Sequence, residues 1–96
     1  LYASSTNRDT DFIIKLSEQF PQDAPADGAQ PRSRVVTKGW LRASHRAIDA
    51  EKSRPYAPWY SHDNPEPIEP GKVYKFEIAV MPTAYRFKAG SRIRLE

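Results

Sequence analysis

Five of the nine prolines in this 96-residue chain fall within 17 residues, "PYAPWYSHDNPEPIEPG" (55–71), and no regular element survives that density. The other four, Pro21, Pro25, Pro31 and Pro82, cut the remainder into short pieces. Set against only four glycines, the prolines mark many ordered breaks between short elements. That punctuation suits a sheet protein better than a helical bundle.

The stretches between the breaks alternate. In "TDFIIKLSEQF" Phe12, Ile14 and Leu16 share one face and Lys15, Ser17 and Gln19 the other, the period of two of a half-buried strand. Ile13 interrupts the polar face, so that face is expected to be partly covered as well. Thr6, Asn7, Asp9 and Asp11 supply turn chemistry ahead of the strand. In "EPGKVYKFEIAV" the Pro70-Gly71 pair makes a turn, after which Tyr74, Phe76, Ile78 and Val80 form one face and Lys75 and Glu77 the other. Pro82 ends that strand. Gly90 turns the chain into a last one, where Ile93 and Leu95 alternate with Arg92 and Arg94.

Two segments read differently. "PQDAPADGAQPRS" (21–33) has three prolines and no large apolar residue, and is a surface loop. "RVVTKGWLRASHRAIDAEKSR" is ambiguous. With period two, Val35, Thr37, Leu41, Ala43 and His45 face one way. With period 3.6, Trp40, Ala43, Ala47 and Ile48 make a stripe. The β-branched Val35, Val36 and Thr37 with Gly39 tip the first half toward strand. In the proline-rich stretch, Tyr56, Trp59 and Tyr60 are expected to pack over the end of a sheet. The resulting class is all-β, a sandwich or barrel.

The candidate chemistry is sparse. Ser61, His62 and Asp63 hold the residue types of a triad. Consecutive residues in an extended loop point apart, however, and a triad needs them convergent. No G-x-S-x-G elbow is present. His45 and His62 are the only histidines. They stand 17 positions apart in a chain without cysteine, so a zinc site is not expected. Asp9 and Asp11 lack the glycine and terminal glutamate of a calcium loop and read as turn formers. No glycine-rich phosphate cradle occurs. The expectation is therefore no catalytic, cofactor-binding or metal-binding residue.

Fifteen Lys and Arg against 12 Asp and Glu leave a net charge of +3. The basic residues gather at Arg32, Arg34, Lys38, Arg42 and Arg46, and again at Arg86, Lys88, Arg92 and Arg94. Either a phosphate-contacting surface or the solvated faces of strands accounts for them. No RNP, KH or helix-turn-helix pattern accompanies them, and nucleic acid is not expected as a partner. No apolar run approaches the ~20 residues that span a bilayer, and no membrane partner is expected. With no signal peptide and no cysteine, a cytoplasmic location is favoured.

Five phrases, in order, carry a resemblance: "DTDF" opening a strand, "GWLRASHR", "PIEPGKVY", "PTAYRF" and "GSRIRL". Together they resemble the C-terminal domain of the CocE/NonD hydrolases, the module also named for X-Pro dipeptidyl-peptidase. That module occurs in cocaine esterase, α-amino-acid ester hydrolases and cephalosporin acylases. The resemblance covers nearly the whole chain apart from the 21–33 loop. Ser91 stands where the family often has histidine, and Met81 where a bulkier aromatic is common.

The resemblance implies a jelly-roll β-sandwich, galactose-binding-domain-like, that follows an α/β-hydrolase domain. It places "GWLRASHR" on a strand. It makes residues 1–96 a truncated internal portion of that domain, with Leu95-Glu96 either native or a cloning scar. The parent would be a serine hydrolase of the ester, amide or X-Pro class, its triad lying upstream. The role left to this piece is to pack on the catalytic domain and help wall the substrate cleft, and its open edges at 1–5 or 91–96 imply self-association. The alternative is a free-standing carbohydrate-binding sandwich that uses Trp59 and Tyr60.

Overall fold

A computed structural model describes residues 1–21 and 32–96. The greater part of the 21–33 loop therefore lies outside the described residues. The described residues form five strands: β1 (Tyr2–Ala3), β2 (Asp11–Gln19), β3 (Ser33–Arg42), β4 (Tyr74–Lys75) and β5 (Arg92–Leu95). No α-helix occurs among the described residues. One 3₁₀ turn, Ala43–His45, follows β3 directly. β1 pairs with β4, and β2 is central in a second sheet of order β3-β2-β5. The architecture is all-β, in two antiparallel sheets of the β-sandwich class.

The chain divides into two compact units. The first comprises Leu1–Ile13 and Gly39–Ala79, the second Ile14–Lys38 and Val80–Glu96. The first unit holds the apolar core: Leu41, Ala43, Ile68 and Phe76 are buried, with Ala3, Phe12, Tyr60, Tyr74 and Ile78 against them. Period two explains the choice. Leu41 and Ala43 sit two apart on β3 and its continuation, and Tyr74, Phe76 and Ile78 alternate with the exposed Lys75 and Glu77. Phe76 is only 1% exposed. Its ring lies 4.6 Å from that of Phe12, centroid to centroid, and 6.3 Å from Tyr74.

Three strand expectations need correction. The 72–80 segment is extended, but only Tyr74–Lys75 forms a ladder, and Val80 is exposed rather than inward. Ile13 is 64% exposed, so the outer face of β2 is uncovered at that point. "GWLRASHR" stays on a strand only through Arg42, then tightens into the 3₁₀ turn. The helical reading of 40–48 fails beyond that one turn.

The proline-rich segment is held by hydrogen bonds to the residues before it. Trp59 N–H donates to Ser53 Oγ, Trp59 O accepts from Asp49 N–H, and Glu66 N–H donates to Ser44 O. Isolated bridges join Ile48 to Tyr60 and Arg54 to Ala57. Gly71, at φ +80°, takes the left-handed turn that follows Pro70 and donates its N–H to Ser5 O at 2.8 Å.

In the second unit β5 pairs with β2 in the register Leu16↔Leu95 to Gln19↔Arg92. Met81 N–H donates to Lys38 O, and Thr37 Oγ1 returns a hydrogen bond to Met81 O at 2.6 Å, so the segment after Val80 is tied to β3.

Candidate functional site

Three polar clusters stand out, two in the first unit and one in the second. The first is built on Asp9. Its Oδ1 accepts from the N–H groups of Thr10 and Ser44, and its Oδ2 accepts from the Ser44 hydroxyl at 2.7 Å. Desolvation pushes its pKa up, but the Ser44 hydroxyl and the two N–H groups outweigh that and hold the carboxyl below its ordinary value. Asp11, two residues on, forms a two-pronged pair with Arg42 at 2.8 and 3.0 Å. Both read from sequence as turn formers; Asp9 does organise the backbone just before β2, whereas Asp11 is the first residue of β2 and its side chain reaches across to β3.

The second cluster is the histidine pair. His62 Nδ1 lies 2.9 Å from His45 Nδ1, and the rings are 5.0 Å apart. His62 has φ +58°, a left-handed conformation in which histidine is enriched among non-glycine residues. The imidazole of His62 thus turns to a residue 17 positions back rather than to its neighbours Ser61 and Asp63. Spacing gave no warning of this contact. Among the described residues no group of three or more His, Cys, Asp or Glu gathers as a metal site.

The third cluster was missed from sequence. Glu18 is fully buried in the second unit. It accepts a hydrogen bond from the Tyr85 hydroxyl and a 2.7 Å bond from Lys88 N–H. The Tyr85 bond, above all, holds the Glu18 carboxyl below its ordinary value against the pull of desolvation, while the same bond pushes the Tyr85 phenol up. Lys88 Nζ sits 5.5 Å over the Phe20 ring, and Tyr85 packs edge-on to Phe87 at 5.1 Å. The buried Ser17 Oγ has no hydrogen-bond partner among the described residues.

The aromatic and basic candidates separate on inspection. Tyr60 packs against the core; its hydroxyl donates to Glu77 O at 2.8 Å and accepts from Ala79 N–H at 2.9 Å. Tyr60 is therefore not available to stack on a sugar. Tyr56 and Trp59, expected to pack, are instead 87% and 57% exposed. Arg46 is engaged in place. It donates to Ala43 O and Glu66 O, pairs with Glu66 and covers the Tyr74 ring at 4.7 Å. Arg42 is held by Asp11, and Arg94 by Gln19 and Glu96. Three of the nine gathered basic residues are thus engaged within the fold.

One sheet face of the first unit is conspicuous. Asp11 and Arg42 bond across β2 and β3, so they share a face. Period two places Ile13 and Trp40 on that same face. These two are 64% and 62% exposed.

Comparison with known proteins follows the same direction. The family described as the X-Pro dipeptidyl-peptidase C-terminal non-catalytic domain matches residues 1–96. A "Putative serine esterase" of Mycobacterium bovis is 31% identical over 102 residues, and so is one of Mycobacterium tuberculosis. Each alignment covers 99% of this chain and 14% of the relative, so the chain spans about one seventh of the length of the curated proteins it matches. No solved structure matches at comparable significance. With every residue of the chain matched and the all-β architecture in agreement, this chain belongs to the family of X-Pro dipeptidyl-peptidase C-terminal non-catalytic domains.

Proposed function

We propose that this chain is the non-catalytic jelly-roll domain of a serine hydrolase of the CocE/NonD type, cleaving ester, amide or X-Pro bonds. In that protein it packs on an α/β-hydrolase domain and helps wall the substrate cleft. One observation carries the reading. The chain matches a non-catalytic domain along its whole length, while its relatives are about seven times longer and bear the name of serine esterases. Two features support it. The exposed Ile13 and Trp40 offer an apolar strip of the kind that a neighbouring domain covers. His62 Nδ1 meets His45 Nδ1, where a Ser-His-Asp triad would need a carboxylate.

The test is hydrolysis of p-nitrophenyl acetate by the 96-residue chain. No turnover above a matched non-enzymatic protein is expected. Turnover abolished by Ser61→Ala or His62→Ala would refute the reading. A second reading, a carbohydrate-binding module, rests on the exposure of Tyr56 and Trp59 alone. Retention of the chain on an immobilised glycan, lost in Trp59→Ala, would favour it.

A further inference from the structure

We propose that His45 and His62 form a two-imidazole site for a divalent transition-metal ion of square-planar or octahedral preference, Cu²⁺ before Ni²⁺. The proposal is independent of the hydrolase reading above. It starts from a distance. Metal–imidazole bonds are about 2.0–2.1 Å long, so two imidazole nitrogens at the 90° positions of a square-planar or octahedral ion lie about 2.9 Å apart, and at tetrahedral positions about 3.3 Å apart. The two Nδ1 atoms here are 2.9 Å apart. That is also the length of the N–H···N bond the pair makes without metal, so the two nitrogens already stand at the separation of cis ligands, and each ring has only to turn for both lone pairs to meet at one ion.

The second observation is how firmly the rings are placed. His45 closes the 3₁₀ turn just after the buried Ala43 and Ser44, and Ser44 is tied to Asp9 through both its N–H and its hydroxyl. His62 follows Tyr60 by two residues. That hydroxyl is anchored on the backbone of Glu77 and Ala79, and the Tyr60 ring lies 5.9 Å from that of His62. The left-handed φ of His62 brings the second imidazole round to the first. A non-glycine residue in this region carries a conformational cost, and such costs concentrate where a side chain has a job. The pair is exposed, so an ion reaches it without opening the fold.

Without metal, one ring must donate from Nδ1 and the other accept. Coordination through both Nδ1 atoms requires that proton to leave: the donor ring moves it to Nε2, or, if doubly protonated, releases it to solvent. Copper stands at the top of the affinity order for nitrogen ligands among divalent first-row ions. Water fills the remaining positions.

The chain has two histidines and no cysteine, which makes the readout unambiguous. Cu²⁺ alone is titrated into the 96-residue chain and followed by calorimetry and by electron paramagnetic resonance, with pulsed detection of the remote imidazole nitrogens. One ion per chain with two equatorial imidazoles is expected. His62→Asn keeps a residue tolerant of the left-handed backbone, and His45→Gln keeps a polar side chain. Each should weaken binding at least about tenfold, since loss of a second-shell partner already costs that much at metal sites. A signal from one imidazole only, binding unchanged in both variants, or no binding by the parent chain would overturn the proposal.

Discussion

Replacing Phe76 by alanine isolates the contribution of the core in the first unit. The ring is 1% exposed and lies among Leu41, Ala43 and Ile68, with Phe12 4.6 Å away and Tyr74 at 6.3 Å. A phenylalanine side chain buries roughly 150–250 Å², and truncation leaves a cavity that a small core collapses into only in part. Core Phe→Ala changes cost about 3–5 kcal/mol, and the tilted ring pair with Phe12 argues for the upper part of that range. A domain of this size has about 5–15 kcal/mol to lose, and each kcal/mol moves Tm by about 4–8 °C. Phe76→Ala should therefore lower Tm by on the order of 20 °C, or leave the chain unfolded at room temperature. The assay is a urea titration followed by tryptophan fluorescence, with Lys75→Ala as the control one residue away on the exposed face. Near-equal midpoints for the two variants would refute the assignment of this core, and a larger loss in Lys75→Ala would mean the alternation is out by one residue.

Glu18→Gln tests the buried carboxylate. Because the folded pKa of Glu18 lies below the ordinary value of 4.5, its contribution is present above that value and is lost as pH falls through the lower, folded one. A plot of Tm against pH should then fall less steeply below about pH 4.5 in the glutamine variant, and parallel curves would exclude the linkage. Asp11→Ala breaks a pair whose side chains are both more than half exposed, and the Tm should move by less than about 5 °C, with the effect shrinking in high salt. β5 is an edge strand with Ile93 and Leu95 71% and 67% exposed, which predicts self-association through that edge. Sedimentation equilibrium over a concentration series checks this, and Ile93→Lys should shift the balance toward monomer, whereas a parent chain that stays monomeric throughout would contradict it.

The long alternating runs were readable because one face of each strand meets apolar neighbours. β2 and the inward Phe76 follow from period two; for β3 period two is one of two open readings, and it has Leu41 and Ala43 inward as found but also Val35, which is 46% exposed. The runs said less about where a ladder ends. Phe76 still exchanges two hydrogen bonds with Leu1, but beyond it the alternation persists into Ile78 with no regular strand among the described residues, since alternation reports burial and not a ladder. Ile13 misled for the opposite reason: an apolar residue on an outer face looks covered from sequence and is bare in the structure. Glu18 could not have been singled out. A glutamate in a strand reads as a solvated charge until Tyr85 and Lys88, 67 and 70 positions away, supply its donors. The His45–His62 contact depends on one left-handed residue inside a proline-rich loop, and no period encodes it. The family phrases were more informative than periodicity for class membership, because their order and spacing along the chain are independent of local pattern.

The place of β2 between β3 and β5 has a bearing on how the chain is made. Its β3 neighbour begins at Ser33, but the other flank is closed only when Arg92–Leu95 arrives, and Arg94 meets Gln19 from 75 positions away. During vectorial synthesis at ~5–20 residues per second, roughly 4–15 s pass between the emergence of the two strands. Over that interval the backbone amides of residues 16–19 face solvent on one side, and the Glu18 carboxylate has neither of its two donors. The second unit is thus a late-folding element by construction. A nascent chain halted shortly before Arg92 should show protease sensitivity at β2 that disappears once β5 has cleared the ribosome.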